Sequence, residues 1–273
     1  MALRPCRLLW LLLSTPLQSA PIAGLPFRTR GKSSSSKDDE TSLQDGSLAD
    51  AVFEGGEVAD IFISKSVPGS RRNAVVETFF ASPTQAASQD LKVDIHQRAT
   101  ELFDFLVFTR RALHRHPELM YNEKETSAYV QNVLRQLDIP FTTGWAVNTV
   151  PDVIPGPGGY GVVADIGTGG EPCVLLRADM DALPIFERTE GVDAFKSTHD
   201  GKMHACGHDG HTTMLLGAAS LLKEMEESIN GTVRLMFQPA EEGGAGGKRM
   251  REEGVLSKDP KPREAYGMHV WPT

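Results

Sequence analysis

Four short aliphatic runs bounded by glycine or proline constrain this chain more than any other feature: YGVVADIG, PCVLLRADM, GTVRLMFQ and AYGMHV, all between Tyr160 and Val270. Runs of this kind, punctuated in this way, read as buried strands. Before and between them the hydrophobic period becomes helical. Ile95, Ala99, Leu102, Phe103, Leu106 and Leu113 recur at helical spacing, and Pro117 closes that segment. Val130, Val133, Leu134 and Leu137 mark a second amphipathic helix ahead of Pro140, a third helix starts at about Thr212, and a short one lies near Lys248–Glu253. Strands alternating with helices predict an α/β domain in which a largely parallel or mixed sheet is flanked by helices.

Polar residues collect where these strands end. Asp179 and Asp181 close the run PCVLLRADMD, Glu241 and Glu242 follow GTVRLMFQPA, and His269 ends AYGMHV. Open α/β sheets bind ligands beyond the carboxyl ends of their strands, so clusters distant in sequence are expected to converge there. A further cluster, KMHACGHDGHTTMLLGAASLL from Lys202 to Leu222, sets His204, Cys206, His208, Asp209 and His211 at the entrance of the third helix. Cys206 and His208 offer a thiolate and an imidazole; Glu242 and His269 add a carboxylate and a second imidazole. A mixed nitrogen, oxygen and sulfur set suits Zn, Mn, Co or Ni rather than Ca or Mg. Of two adjacent glutamates, one can hold metal while its neighbour takes a proton from metal-activated water as general base, so hydrolysis is the expected chemistry.

Blander readings weigh against each residue taken alone. A single histidine or an isolated Glu-Glu pair is more often solvated surface. Here the pair follows a buried-looking strand and Pro239, and the Gly-rich turn GGAGG comes after it. Asp179 and Asp181 could instead cap the next turn, an alternative that weighs more on Asp179. Cys206 could be a plain buried thiol, the commonest fate of a free cysteine, but His204 and His208 flank it. A cysteine nucleophile with a histidine base would leave Glu241, Glu242 and His269 without a role, whereas a metal employs them all. His96 and His199 are expected at the surface, His114 and His116 as helix-end residues, and Cys173 in the core.

At 273 residues, 40% hydrophobic and 23% charged, the chain can bury the core of one or two domains. A net charge of -8, with no basic run interleaved with aromatics outside the leader, argues against nucleic acid as a partner. The three cysteines, Cys6, Cys173 and Cys206, make no disulfide framework. Residues 1–20, MALRPCRLLWLLLSTPLQSA, have the layout of a signal peptide whose apolar run is too short to span a bilayer. The basic, Ser-rich stretch that follows extends the leader to about residue 37 if it is a transit-type signal. The secretory pathway or an organelle is therefore the expected location, with no membrane contact in the mature form. Residues 38–90 read as a mostly disordered polar linker with weak patterning near Val58–Ile63 and Ala74–Phe80, and the folded domain is expected over 91–273.

Five stretches in order, LHRHPELMYNEKET, LLRADMDALPI, DGKMHACGHDGHTTMLLGAA, GTVRLMFQPAEEGG and GMHVWP, resemble the M20 metallopeptidase family in its aminoacylase-like amidohydrolase branch. That branch includes plant auxin-amino acid conjugate hydrolases, hippurate hydrolases and N-acyl amino acid deacetylases. The resemblance covers about Leu91 to Thr273. It implies a zinc-exopeptidase-like catalytic domain and a two-metal centre with Cys206, His208, Glu242 and His269 as ligands. Glu241 is then the general base, and Asp181 orients the machinery from behind the ligands. Asp179 stands where more distant members have a histidine ligand and is a weaker candidate. The implied reaction is hydrolysis of the amide bond of a small-molecule N-acyl amino acid with two divalent ions drawn from Mn, Zn, Co and Ni, in a complete enzyme that can form a homodimer. The family continues past HVWP into a lid and dimerisation domain and returns with a further histidine ligand, whereas this sequence ends at Thr273. The expectation is thus an incomplete catalytic domain of a longer hydrolase, with the lid and dimerisation domain absent. The alternative is a catalytically silent truncated homologue with a metal-binding or partner-binding role.

Overall fold

A computed structural model of the chain describes residues 95–271. The leader, the linker with its patterning near Val58–Ile63 and Ala74–Phe80, and the expected domain start at Leu91 lie outside the described residues. The helical period ahead of Pro117 forms two helices rather than one, α1 (Ile95–Glu101) and α2 (Phe103–Arg115). They part at Leu102, which is buried and keeps right-handed helical angles, φ -79° and ψ 0°, so the inward stripe continues from it at helical spacing. The buried stripe of α2 is accordingly Phe105, Phe108, Thr109, Ala112, Leu113 and His114, and Phe103, expected on the inner face, is exposed. Helix α3 (Lys124–Gln136) buries Val130, Val133 and Leu134 as its spacing indicates.

Among the described residues there are five strands, β1 (Phe141–Val147), β2 (Gly158–Gly167), β3 (Cys173–Asp179), β4 (Thr232–Gln238) and β5 (Pro262–Gly267); helices alternate with strands only from β3 onward. Helix α4 (His208–Glu224) links β3 to β4, and α5 (Gly246–Glu252) precedes β5. The sheet is mixed, in the order β1-β2-β4-β3-β5. The pairs β1/β2 and β2/β4 are antiparallel; β4/β3 and β3/β5 are parallel. Strand β1 escapes the sequence pattern. Its stretch FTTGWAV is a border strand, mostly exposed, with register shifts around Trp145 and positive φ at Gly144 and Ala146. Its bulged end is held by Glu253, which accepts the Ala146 and Val147 amides at 2.6 and 2.8 Å.

The central strand β4 is buried along its whole length, so its side chains feed two layers alternately. Val233, Leu235 and Phe237 join Val162, Ala164 and Ile166 of β2 and Leu176 and Ala178 of β3 in the core beneath α2, α3 and α4. Met236 points to the opposite face with Val163, Leu175, Met250 and Val255. Each fully buried side chain of the size of Leu235 or Phe237 contributes roughly 1.5–3 kcal/mol. Helix α4 is apolar on nearly every side because it lies between α2 and the sheet. Among the described residues no helix is long and apolar enough to cross a membrane.

The second face also holds a buried cation. Arg234 is inaccessible and pairs across the ladder with Asp165, donating from Nε at 2.8 Å and from Nη2 at 3.1 Å. Its Nη1 donates to the carbonyls of Val255 and Lys258, and Lys258 Nζ reaches Asp165 Oδ2 at 2.8 Å. Burial would raise the Asp165 carboxyl, but the hydrogen bonds and charges of Arg234 and Lys258 outweigh it and hold it below the ordinary range. A depressed folded value gives stability that is present above the unfolded carboxyl value of about 3.9 and lost as pH falls through the folded one. Asp165→Asn leaves Arg234 buried without its counter-charge and is expected to cost about 3 kcal/mol at pH 7 by urea denaturation, with the gap to the parent protein closing below pH 4. An equal gap at pH 7 and pH 3 would show that the pair contributes through packing rather than charge.

Candidate metal centre

The three parallel strands β3, β4 and β5 end at one edge of the sheet, and the N-terminus of α4 opens at the same edge. Asp179 is the last residue of β3 with Asp181 just beyond; Glu241 and Glu242 follow β4; His269 lies two residues past β5. The expected convergence is therefore met. Helix α4 starts at His208 rather than near Thr212, because its first turn is polar yet buried and so carries no apolar period. Gly207 caps it in a left-handed conformation, φ 89°, and a Cβ there would collide with Val270 Cγ2. Glycine alone allows that turn between Cys206 and His208 with the His269 segment packed against it.

Hydrogen bonds set the state of each imidazole. His208 Nδ1 lies 3.2 Å from Asp181 Oδ1, so its Nδ1–H is the donor and the lone pair is on Nε2. That buried Nε2 has no hydrogen-bond partner and faces Asp179 Oδ2 at 3.7 Å, Glu241 Oε2 at 3.8 Å and Glu242 Oε1 at 3.7 Å. His269 Nδ1 donates to the Val270 carbonyl at 2.7 Å, which leaves its Nε2 lone pair 3.3 Å from Cys206 Sγ. His211 differs: Nδ1 pairs with Asp179 Oδ1 at 2.6 Å and Nε2 accepts the Val270 amide at 2.9 Å. With both nitrogens engaged, His211 ties β3 to the His269 segment and has no lone pair to offer a ligand.

A lone pair facing three carboxylates in a buried position is repulsive unless a positive charge lies among them. Asp179 Oδ2 and Glu242 Oε1 are likewise buried without a hydrogen bond, although Arg177 Nη1 lies 2.7 Å from Asp179 Oδ2 in ion-pair range. Side chains of ligand type form overlapping groups around His208: Cys206 with His269, Asp179 with His211, and Glu241 with Glu242. The donor chemistry and the orphaned atoms thus fit a divalent transition cation. The negative charge gathered here also shifts the ionisable groups. Burial alone would lower the His208 imidazole, but its bond to Asp181 and the charges of Asp179, Asp181 and Glu242 raise it. Asp179, which burial alone would raise, is held low by the His211 hydrogen bond and by the His208 and Arg177 charges. Burial, then Glu242, Asp179 and Glu241, push the Cys206 thiol up to about 12. That disfavours a free thiolate nucleophile, despite the short contact to His269, and leaves a bound cation as what would deprotonate the sulfur.

All six expected site residues, Asp181, Cys206, His208, Glu241, Glu242 and His269, meet at this edge, and Asp179 joins them. Asp181 bridges two of the elements, since its Oδ2 accepts the Glu242 amide at 2.9 Å while Oδ1 holds His208. Sequence reasoning missed His211, for which the signal was its position three residues after His208, on the same face of a helix. His114 lies in the last turn of α2, as expected of a helix-end residue, but its role was not foreseen. His114 is buried, with Nδ1 2.8 Å from Asp209 Oδ2 and Nε2 3.1 Å from Glu187 Oε1, so it anchors α4 beside the centre. Burial works against the Asp209 carboxylate, but the His114 bond and the nearby His204, Arg110 and His114 charges hold it at about 2. His204 is not a ligand in this arrangement: it is buried with neither ring nitrogen bonded, and burial pushes it down to about 4.

Residues 175–273 match the model of Peptidase family M20/M25/M40, the family that the motifs resemble. The resemblance carried by the motifs is thereby shown. The chain is 49% identical over 170 residues to IAA-amino acid hydrolase ILR1-like 5 of Arabidopsis thaliana, covering 62% of this chain and 35% of that protein. It is 47% identical over 152 residues to N-acetyl-L-cysteine deacetylase of Bacillus subtilis, covering 55% of this chain and 33% of that one. A Bacillus subtilis dinuclear metal-binding peptidase from the M20 family superposes with a TM-score of 0.53 at 39% identity, over 65% of this chain and 44% of that one. The chain spans about a third of the length of these two curated relatives. Zn2+ at a hundredfold excess over its Kd is expected to raise unfolding stability by about 2.7 kcal/mol in urea titrations, a gain that EDTA reverses and His208→Ala abolishes. An equal gain in the variant would put the cation elsewhere.

Proposed function

We propose that this chain carries the centre of a metal-dependent amidohydrolase that cleaves the amide bond of N-acyl amino acids. One observation carries the reading: the buried His208 Nε2 lone pair faces Asp179, Glu241 and Glu242 with no proton donor between them. We infer that Cys206, His208, Glu242 and His269 would hold two divalent transition ions, a reading supported by the dinuclear M20 peptidase of similar fold. Such ions, when bound, supply a Lewis acid for the scissile carbonyl and bring the pKa of water from 15.7 towards about 7.

The chain's own residues divide the remaining work. Glu241 is the most exposed carboxylate of the set, its side chain 40% accessible, and it reaches solvent while pointing back at His208. It takes the proton of the attacking water and returns it to the leaving nitrogen as the C–N bond breaks, which gives a carboxylic acid and a free amino acid. Asp181 holds His208 and the Glu242 amide in one geometry, so ligand and base keep their relative placement. The relatives named for hydrolysing IAA-amino acids and for N-deacetylation support the substrate class. Glu241→Gln is expected to lower turnover of an N-acetyl amino acid by about 10²–10⁴-fold while leaving bound metal, measured by atomic absorption, unchanged. Normal turnover in that variant would remove Glu241 from the role of base.

A further inference from the structure

The segment ahead of α3 reaches both carboxylate-bearing loops. Main-chain contacts tie it to the first: the Ala182 amide donates to the Glu118 carbonyl at 2.7 Å, and Leu119 bridges Ala182 in parallel. Side chains tie it to the second. Glu123 is inaccessible, and its Oε1 accepts the Ala240 amide at 2.7 Å, immediately before Glu241. Tyr121, also inaccessible, donates its hydroxyl to the Gly244 carbonyl, just after the glutamate pair.

Glu123 stands at the N-cap of α3, but its side chain makes no capping bond to that helix. Glu118 does that work instead, accepting the amides of Glu125 and Thr126 at 3.1 and 2.8 Å. The Glu123 carboxyl is therefore free for the loop. Ala240 has need of it. Its φ of 55° lies in the left-handed region that alanine avoids, and the conformation is held at both peptide groups, by Glu123 at its amide and by Gly246 N–H at its carbonyl. Gly246 must be glycine there, because a Cβ would strike the Pro239 carbonyl. The second Glu123 oxygen, Oε2, is buried with no hydrogen-bond partner. Burial, and then the Asp181 charge, raise this carboxyl to about 8, so it is mostly neutral at pH 7 and a neutral amide is its close substitute.

We propose that Glu123 and Tyr121 are positioning residues for the centre: they grip the loop from Ala240 to Gly244 on either side of Glu241 and Glu242 and fix the direction in which those carboxylates leave β4. This rests on the proposed metal centre. Glutamine at 123 keeps the acceptor for the Ala240 amide, whereas methionine keeps the bulk and removes the acceptor.

The test compares the parent chain with Glu123→Gln, Glu123→Met and Tyr121→Phe, using Co2+ affinity from its visible absorption, kcat and KM for an N-acetyl amino acid, and urea midpoints to confirm folding. Glu123→Gln is expected to stay within about 3-fold of the parent in Co2+ Kd and kcat, and Glu123→Met to raise Co2+ Kd by about 10–100-fold and lower kcat with KM little changed. A folded Glu123→Met with parental Co2+ affinity and kcat overturns the proposal, as does a Glu123→Gln that falls as far as Glu123→Met. If Glu123→Met does not fold, Tyr121→Phe decides: a loss of at least about 3-fold in Co2+ affinity supports the grip, and parental affinity overturns it. A parent chain that binds Co2+ without hydrolysing the substrate fails the proposed function alone and leaves the grip to be judged on affinity. A parent chain that binds no Co2+ overturns both.

Discussion

One buried imidazole organises this molecule. His208 is closed off from solvent, its Nδ1–H committed to Asp181, its other nitrogen turned towards three carboxylates. Such a grouping is tenable only with positive charge inside it, and everything around it serves to bring acids to that point. The parallel half of the sheet delivers Asp179, Asp181, Glu241 and Glu242 to one edge. The left-handed turn at Gly207 brings the N-terminal end of α4, where the helix dipole favours negative charge, to the same place. The apolar body of α4, wedged between α2 and the sheet, keeps that end from shifting.

The centre has a rigid rear and a more open front. Asp179, Asp181, His208 and His211 are almost wholly buried and bonded to one another or to the backbone. Cys206 and Glu242 are partly exposed, and Glu241 and His269 are exposed. A preorganised rear shell of this kind lowers the reorganisation needed when a charged ligand arrives. His211 links the two halves, since one ring bonds the end of β3 and the amide next to His269. The buried pair of His114 and Asp209 secures the same helix turn from the other side.

Much of this was legible in the sequence. The short aliphatic runs bounded by Gly or Pro placed four of the five strands, the helical period placed the main helices, and the clusters at strand ends pointed to the edge where they meet. What was not legible followed physical rules that one sequence does not display. Strand β1 is a border strand with bulges, so it has neither alternation nor a continuous apolar run. The start of α4 was hidden because its first turn buries polar ligands instead of apolar side chains. Phe103 fell on the wrong face because it sits one residue off the buried stripe of Leu102, Phe105 and Thr109, and two adjacent apolar residues do not say which of them turns inward. His114 and Glu123 had no local signal at all, since their partners Asp209 and Ala240 lie 95 and 117 residues away. The bonds that make them significant exist only in the folded state.

The border strand has a consequence for how the protein keeps itself apart from its neighbours. An open sheet edge offers unpaired amides on which another chain can build, the first step towards aggregation. At β1 the bulge turns two consecutive amides, those of Ala146 and Val147, onto the carboxylate of Glu253. An approaching strand would find these donors already occupied and a negative charge beside them. A single side chain at the end of α5 thus serves as a guard against intermolecular sheet growth.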